Sequence, residues 1–540
     1  MAATFDARLR SVVHDFEARL AEEFDRLFSE HTVPTAEIRG TLLRQHEAVE
    51  HAVLSSLQAY RAHLNTFALI STLPVEVLLA VFQFCQVNDG HASPTWTNTL
   101  QPVIDLTHVC RRWRQIALNH PSLWTVVCAK GHSELTALPD VLLRSQTLPL
   151  DISFEWRRHA SHRLRASTTV ALKNHMHHVR SLKVHIREER VAEWSRVFEA
   201  DAPCLEEFEL IRSASLPEPN VGGVTLYNFF LGTAPALRRA HCENVPLDVL
   251  DSQVFRAVVD LHVSMHTISP KDVRAILASC PNVDSLSIAG SPSGISHARA
   301  PQAQRDKLWP AQHLARLSLT DIDPRVTDIV VARLPVAQLA FIDVACSDEE
   351  LFSAFELSAS TIEMVLARPS MPKNVVLQGK VHSYPPRVSW DVVVFDDDNW
   401  TRAFTIARLP RYPALTPVIQ RTPNLTVSLD MWSMLVDALP DPLALDAQKL
   451  SLQVTSSKAV DIGLLDGCRR ASFPSLRRVI FKAKTSKPLP RLAVLEMLNK
   501  IIDLRGLRHG RLKRIVLKGI RPSDTLDDLQ AIAQQIDVQP

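Results

Sequence analysis

The sequence predicts a multidomain protein: an all-α amino-terminal part, made of a helical hairpin and a second compact helical unit, followed by an α/β solenoid of short repeats. Three observations predict it. Apolar residues recur at steps of three and four over the first seventy positions, a second helical pattern opened by Pro occupies residues 70–127, and a Leu-containing strand theme returns from about residue 130 onward. At 540 residues the chain exceeds what one hydrophobic core usually serves. Boundaries are expected at 1–69, 70–127 and 128–540.

In the first segment, Phe5, Leu9, Val12, Phe16, Leu20, Phe24 and Leu27 form one stripe, and His31-Thr32-Val33-Pro34 breaks it. Leu42, Val49, Val53, Leu57, Tyr60, Leu64 and Phe67 form a second stripe. Such a seam suits an antiparallel helical hairpin or a short coiled coil. Packing onto the next domain and self-association both remain open at this point.

The second segment starts at Leu73-Pro74-Val75-Glu76, with Pro where a first helical turn tolerates it; Val77, Leu78, Val81, Phe82 and Cys85 then supply an apolar face. A loop rich in turn residues, Gln86 to Gln101, separates this helix from a second pattern, Val103, Leu106, Val109, Cys110, Trp113, Ile116 and Ala117. Pro121-Ser122-Leu123-Trp124 closes the unit, and Val126-Val127 is placed to start a strand.

Beyond residue 130, strand-like segments follow a Pro or a helix end, as at Pro203-Cys204-Leu205-Glu206-Glu207-Phe208-Glu209-Leu210 and Pro281-Asn282-Val283-Asp284-Ser285-Leu286-Ser287-Ile288. Later copies include Leu450-Ser451-Leu452-Gln453-Val454, Pro474-Ser475-Leu476-Arg477-Arg478-Val479-Ile480 and Arg511-Leu512-Lys513-Arg514-Ile515-Val516-Leu517. The pattern resembles the Leu-x-x-Leu-x-Leu of leucine-rich repeats in degenerate form, which implies a leucine-rich-repeat-like solenoid. The poorest fit is 345–420, where residues 385–395 and 400–406 read as a β-hairpin around Asp396-Asp397-Asp398-Asn399.

Composition narrows the function classes. The apolar fraction of 46%, the charged fraction of 22% and the net charge of +2 describe an ordinary globular protein. Eight scattered Cys with no CxxC pair read as reduced, buried thiols and disfavour zinc ribbons and thiol redox centres. The amino terminus has no apolar core of signal-peptide length and no apolar run approaches a membrane span, so a cytoplasmic or nuclear location without membrane partners is expected. Only 14 Gly are present, which counts against Gly-rich phosphate or cofactor loops.

The motifs of catalysis fail one by one. Gly290-Ser291-Pro292-Ser293-Gly294 puts Pro where a nucleophile elbow needs Ser. His46 and His51 are five positions apart, which splays them by about 140° around a helix instead of placing both on one metal. His175, His177 and His178, with His159, His162 and His185 nearby, lack ligand-spaced Cys or carboxylates and read as a solvated helix edge. The Asp396-Asp397-Asp398 run lacks the Gly and regular spacing of a calcium loop. No catalytic residue, metal site or cofactor is expected.

The strongest electrostatic signal is residues 469–521, where sixteen Lys and Arg face only Glu496 and Asp503; the stretch carries +14 and the rest of the chain −12. Arg477-Arg478 and Lys513-Arg514 occupy matching repeat positions and are the candidate basic patch for acidic or phosphorylated protein surfaces, or for nucleic acid. A solvated face of the terminal repeats is the plainer alternative.

Leu73-Pro74-Val75-Glu76-Val77-Leu78, Val81-Phe82, a loop, and Val109-Cys110-Arg111-Arg112-Trp113-Arg114-Gln115-Ile116-Ala117 ending in Pro121-Ser122-Leu123-Trp124 together resemble the F-box. The arrangement is similar to that of F-box proteins of mushroom-forming fungi. The resemblance implies docking on the Skp adaptor and cullin scaffold of an SCF-type ubiquitin ligase, with the repeat region holding a protein substrate of unknown identity. By position, Leu73, Pro74, Leu78, Phe82 and Trp113 match adaptor-facing or box-defining residues, and Glu76 matches the helix-start acid. A repeat scaffold without a ubiquitination role and a nucleic-acid binder using the basic stretch are the alternatives from other classes.

Overall fold

The computed structural model describes residues 2–29, 36–87, 100–129, 132–155, 162–187, 191–213, 229–232, 234–245, 253–290, 308–345, 357–367, 373–383, 386–395, 401–406, 413–441, 444–454, 469–483, 498–503, 507, 510–519 and 527–539. The break at His31–Pro34, His159, Ser291–Gly294, Asp396–Asn399 and the cations Lys484, Lys487, Arg491, Arg505, Arg508 and Arg521 lie outside the described residues. The chain forms two compact units, Met1–His91 with Gln101–His120, and Ala92–Leu100 with Pro121–Pro540.

The first unit is helical. Helices α1 (Ala2–Ser29) and α2 (Ala36–Thr66) follow the two apolar stripes. Among their described apolar side chains, Val12, Phe16, Leu57 and Leu64 are exposed and Val49 is half-buried. A short 3-10 turn at Leu69–Thr72 leads into α3 (Val75–Val87), and α4 (Leu100–Val109) and α5 (Arg111–Asn119) follow. Cys110 separates α4 from α5: its extended backbone ends one helix, and its Sγ accepts from the Trp113 N–H at 3.5 Å as the cap of the next.

The second unit is strand-rich. Among the described residues seventeen strands form one open sheet: β1 (Val126–Ala129), β2 (Leu150–Glu155), β3 (Val179–Arg187), β4 (Glu207–Ser213), β5 (Arg239–Glu243), β6 (Asp260–Ser264), β7 (Ser285–Ala289), β8 (Arg316–Thr320), β9 (Phe341–Ala345), β10 (Asn374–Ser383), β11 (Pro386–Phe395), β12 (Thr401–Ile406), β13 (Asn424–Ser428), β14 (Lys449–Val454), β15 (Arg478–Ala483), β16 (Leu512–Lys518) and β17 (Ala533–Gln539). Strands β1 to β9 pair in chain order, each parallel to the next. Strands β13 to β17 do the same.

The 345–420 region reverses that order. Strand β9 pairs with β12, β12 with β11, β11 with β10, and β10 with β13. The β11–β12 pairing is the hairpin expected from the sequence, and β11 is the one antiparallel strand of the described sheet. Strand β10, which the periodicity did not reveal, pairs with β11 along its full length and makes the connection to β13. Strands β2, β6 and β17 were likewise not singled out by the repeat theme.

Strict alternation sets the two faces of the sheet. Leu182 and Val184, Leu261 and Val263, Leu286 and Ile288, and Ile342 and Val344 are buried, while the residues between them are only half-buried. Connecting helices have their own buried stripes, as in Pro270–Ser279 with Val273, Ile276 and Leu277. That helix opens with Pro270 and a capping box in which Ser269 Oγ accepts from the Asp272 N–H and Asp272 Oδ2 accepts from the Ser269 N–H at 2.8 Å. The fold is thus a helical amino-terminal region followed by a strand-rich region with one open sheet.

Two expectations about single residue types need correction. Cys85 and Cys204 are exposed, whereas Cys128, Cys242 and Cys280 are buried. Cys85 lies in an apolar run, but its helix turns that position outward. His178 is buried rather than part of a solvated helix edge, and its ring lies 4.4 Å from His177 and 5.2 Å from His175. Among the described residues no set of three His, Cys, Asp or Glu is arranged to hold a metal. No described helix is long and apolar enough to cross a membrane.

Candidate functional site

The first unit is organised around α3 and α5. Leu78 and Phe82, one turn apart on α3, are both 0% exposed, and the Phe82 ring packs 4.9 Å from that of Trp113 on α5. The adjacent residue Arg112 ties the same helix to the chain that precedes α3: its Nη2 donates to the Leu73 carbonyl at 2.7 Å and its Nη1 to the Ser71 carbonyl. The Cys110-Arg111-Arg112-Trp113 motif therefore holds a helix cap, a guanidinium clamp and an aromatic anchor in four consecutive residues. Each has a separate partner.

This packing divides the predicted docking residues. Leu78 and Phe82 serve the interior, Leu73 and Trp113 are half-buried, and Pro74 and Glu76 are on the surface. Glu76 stands in the first turn of α3, where a carboxylate is favoured by the exposed N–H groups of a helix start. The side chains that α3 offers outward are Val77, Val81 and Phe84, spaced at four and three residues and so on one stripe; Phe84 is 67% exposed. Leu69, 86% exposed, and Ile70 add to the apolar surface just before the helix. Sequence periodicity missed Phe84 and could not separate the two stripes, because α3 is apolar on adjoining faces about 100° apart.

The second surface is the half-buried face of the sheet. On β3 to β6 it is a cluster of paired polar side chains, although His241 Nε2 is buried without a hydrogen-bond partner among the described residues. Glu209 takes contacts from Lys183 Nζ at 3.6 Å and His185 Nε2 at 3.3 Å, Glu207 accepts from Ser181 Oγ at 2.9 Å and Arg239 Nε at 3.4 Å, and His241 and His262 meet edge to face at 4.3 Å. Burial alone would raise the Glu209 carboxyl, but the His185 hydrogen bond and the Lys183 charge hold it below the usual carboxylate range. Burial, followed by the charge of neighbouring His241, pushes His262 down to about 4.

On β14 to β16 the same face is cationic. Arg478 and Arg514, two of the four residues of the predicted patch, are register partners, and Lys449 of β14 continues their row. Lys482 and Lys518 form a second register row four residues further along the strands. Arg477 and Lys513 are exposed immediately before these positions, and the Arg477 carbonyl accepts the backbone N–H groups of Lys513 and Arg514. Lys449 lies outside the charged stretch that the sequence delimits, so only the sheet register reveals it. Arg514 donates to Asp537 on β17.

No curated protein matches the chain. Residues 70–130 match the family model described as F-box-like. F-box proteins are typically adaptors or receptors rather than enzymes, and their box implies binding to the Skp adaptor in SCF complexes. The stretch that contains α3, the Arg112 clamp and the Phe82–Trp113 contact is thus an F-box-like domain within the longer chain.

Proposed function

We propose that the protein is a substrate receptor of a cullin-RING, SCF-type ubiquitin ligase. Residues 70–127 dock the Skp adaptor, residues 1–69 extend from that domain, and residues 128–540, read as a degenerate leucine-rich-repeat-like solenoid, hold a target protein in the cytoplasm or nucleus. This fits the resemblance to F-box proteins of mushroom-forming fungi. The receptor supplies no reacting group of its own; it raises the concentration of its target near the ligase.

The observation that carries this reading is the exposed apolar stripe Val77, Val81 and Phe84, on a helix whose other apolar face is already satisfied inside an F-box-like domain. A small unit that displays such a stripe to water suits a partner surface. The test is co-purification of the adaptor and the cullin with Val77→Asp, Val81→Asp, Phe84→Asp protein. Loss of both with unchanged circular dichroism supports the receptor; undiminished adaptor binding sinks it, and adaptor without cullin favours a scaffold that directs no ubiquitination.

A further inference from the structure

Two consecutive strands of the sheet repeat one motif. Arg478, Ile480 and Lys482 on β15 stand in register with Arg514, Val516 and Lys518 on β16, so that two rows of cations flank an apolar row. The apolar row is buried, and Ser451 of β14, also buried, extends it. The rows are four residues apart, roughly 13 Å along the strands, and adjacent strands are about 4.8 Å apart. The result is a buried row between two rows of cations on one face of the sheet.

The cationic rows are under-neutralised. Among the described residues, Lys449, Arg478, Lys482 and Lys518 form no ion pair, and the Lys449 ammonium is held below its usual range by burial and then by the charges of Arg478, Lys482 and Lys518. Only Arg514 has a carboxylate partner, Asp537, which reaches it from the edge strand. That pair shows which chemistry the rows take when it is within reach: a side-chain carboxylate lying over the sheet face.

We propose that β14 to β16 bind an extended acidic segment of a partner protein, with one carboxylate on each cationic row and a small residue between them over Ile480 and Val516. In an extended chain, residues four apart point the same way and are roughly 13 Å apart, which matches the distance between the rows. The motif recognised is therefore acid-x-small-x-acid, with a Glu or Asp at each end. Nucleic acid fits less well. Single strands are gripped by aromatic platforms between cations, and no aromatic side chain stands on this face of β13 to β17 among the described residues. The described cations also cover only three strands, about 10 Å of width, less than a duplex footprint.

The inference rests on the receptor reading only in making that segment part of a ligase target; the binding itself is a property of this chain alone. The experiment is fluorescence anisotropy of full-length protein with a labelled peptide containing Glu-x-Ala-x-Glu. Arg478→Glu with Lys482→Glu should weaken binding about tenfold or more, and Asp537→Asn, which frees Arg514, should tighten it about threefold. Moving the two Glu to adjacent positions should lose most of the gain over an uncharged peptide. Should the reversed variant fail to fold, Arg478→Gln with Lys482→Gln must still weaken binding. Equal binding by the variants, or tighter binding of an oligothymidylate of equal charge, overturns the proposal. Adaptor pull-down with the same variants should be unchanged, so that failure here and failure of the F-box-like domain give different results.

Discussion

Nη2 of Arg402, on β12, donates to the carbonyl of Leu339 at 2.7 Å, although the arginine is 0% exposed and takes the inward position beside Ile342 of β9. Its other donors go to the carbonyls of Val336, Ala340, Thr401 and Val365, at 2.9 to 3.2 Å. All five N–H groups of the guanidinium are thereby matched with carbonyl oxygens. The charge fastens β12 to the chain entering β9, at the place where the strand order reverses.

Replacing Arg402 by Met keeps the length and removes every donor, leaving three buried and two part-buried carbonyls without that partner. The expected loss is about 3 kcal/mol. Arg402→Lys should recover little of it, because an ammonium presents three donors and no planar fork. Urea unfolding followed by circular dichroism checks both; a Met variant as stable as the parent would show that the guanidinium contributes nothing net.

Phe82 and Phe84 are two residues apart and are expected to behave oppositely. Phe82→Ala empties a buried site against Trp113 and should cost about 3 kcal/mol or more. Phe84→Ala trims an exposed ring and should leave the melting temperature nearly unchanged while weakening adaptor capture. Thermal melts paired with pull-downs separate the two roles.

Acid should destabilise the second unit before its carboxylates titrate. His178 is pushed down to about 4 by burial and then by His177 and His175, and its Nε2 is buried without a hydrogen-bond partner among the described residues. His262 is shifted to a similar value by burial and by His241, with Asp260 and Glu209 opposing. Both rings are neutral when folded and take up a proton more readily when unfolded. Their contribution is complete above the ordinary value of 6.5 and declines as pH falls from there toward about 4. Melting temperatures between pH 7 and pH 4.5 should fall, and the slope should be shallower in His178→Gln with His262→Gln.

Gly290 follows β7 where the chain passes the Asp321 backbone, and a Cβ there would stand 2.9 Å from the Asp321 carbonyl carbon and closer still to its oxygen. Gly290→Ala should cost about 2 kcal/mol, because main chain must move to admit it. A variant with unchanged urea midpoint would mean that the Asp321 turn yields freely.

Much of the architecture was legible because it is written in local periodicity. Helical steps place α1, α2, α3 and α5, and the Pro-led Leu motif falls on or leads into β4, β5, β7, β9, β13 and β15, since each inward residue must be apolar and each outward one need not be. Strand β6 escaped because Asp260-Leu261-His262-Val263 carries the same alternation without a Pro before it, and β2 because Leu150-Asp151-Ile152-Ser153, although it follows Pro149, lacks the Leu-x-x-Leu spacing. Arg402 escaped for the opposite reason: a charged residue in an inward position breaks the pattern used to find it.

By itself the sequence determined that this chain begins with helices, carries an F-box-like stretch and continues into a long strand-rich region with a cationic end. Those properties depend on residue types at short spacing. Tertiary structure decided which face of α3 is spent inside and which is left outside, that Lys449 joins Arg478 and Arg514 in one row, and that β10 to β12 run in reverse order. These depend on register and packing between segments far apart in the chain, and the separation of the segments erases them from any local pattern.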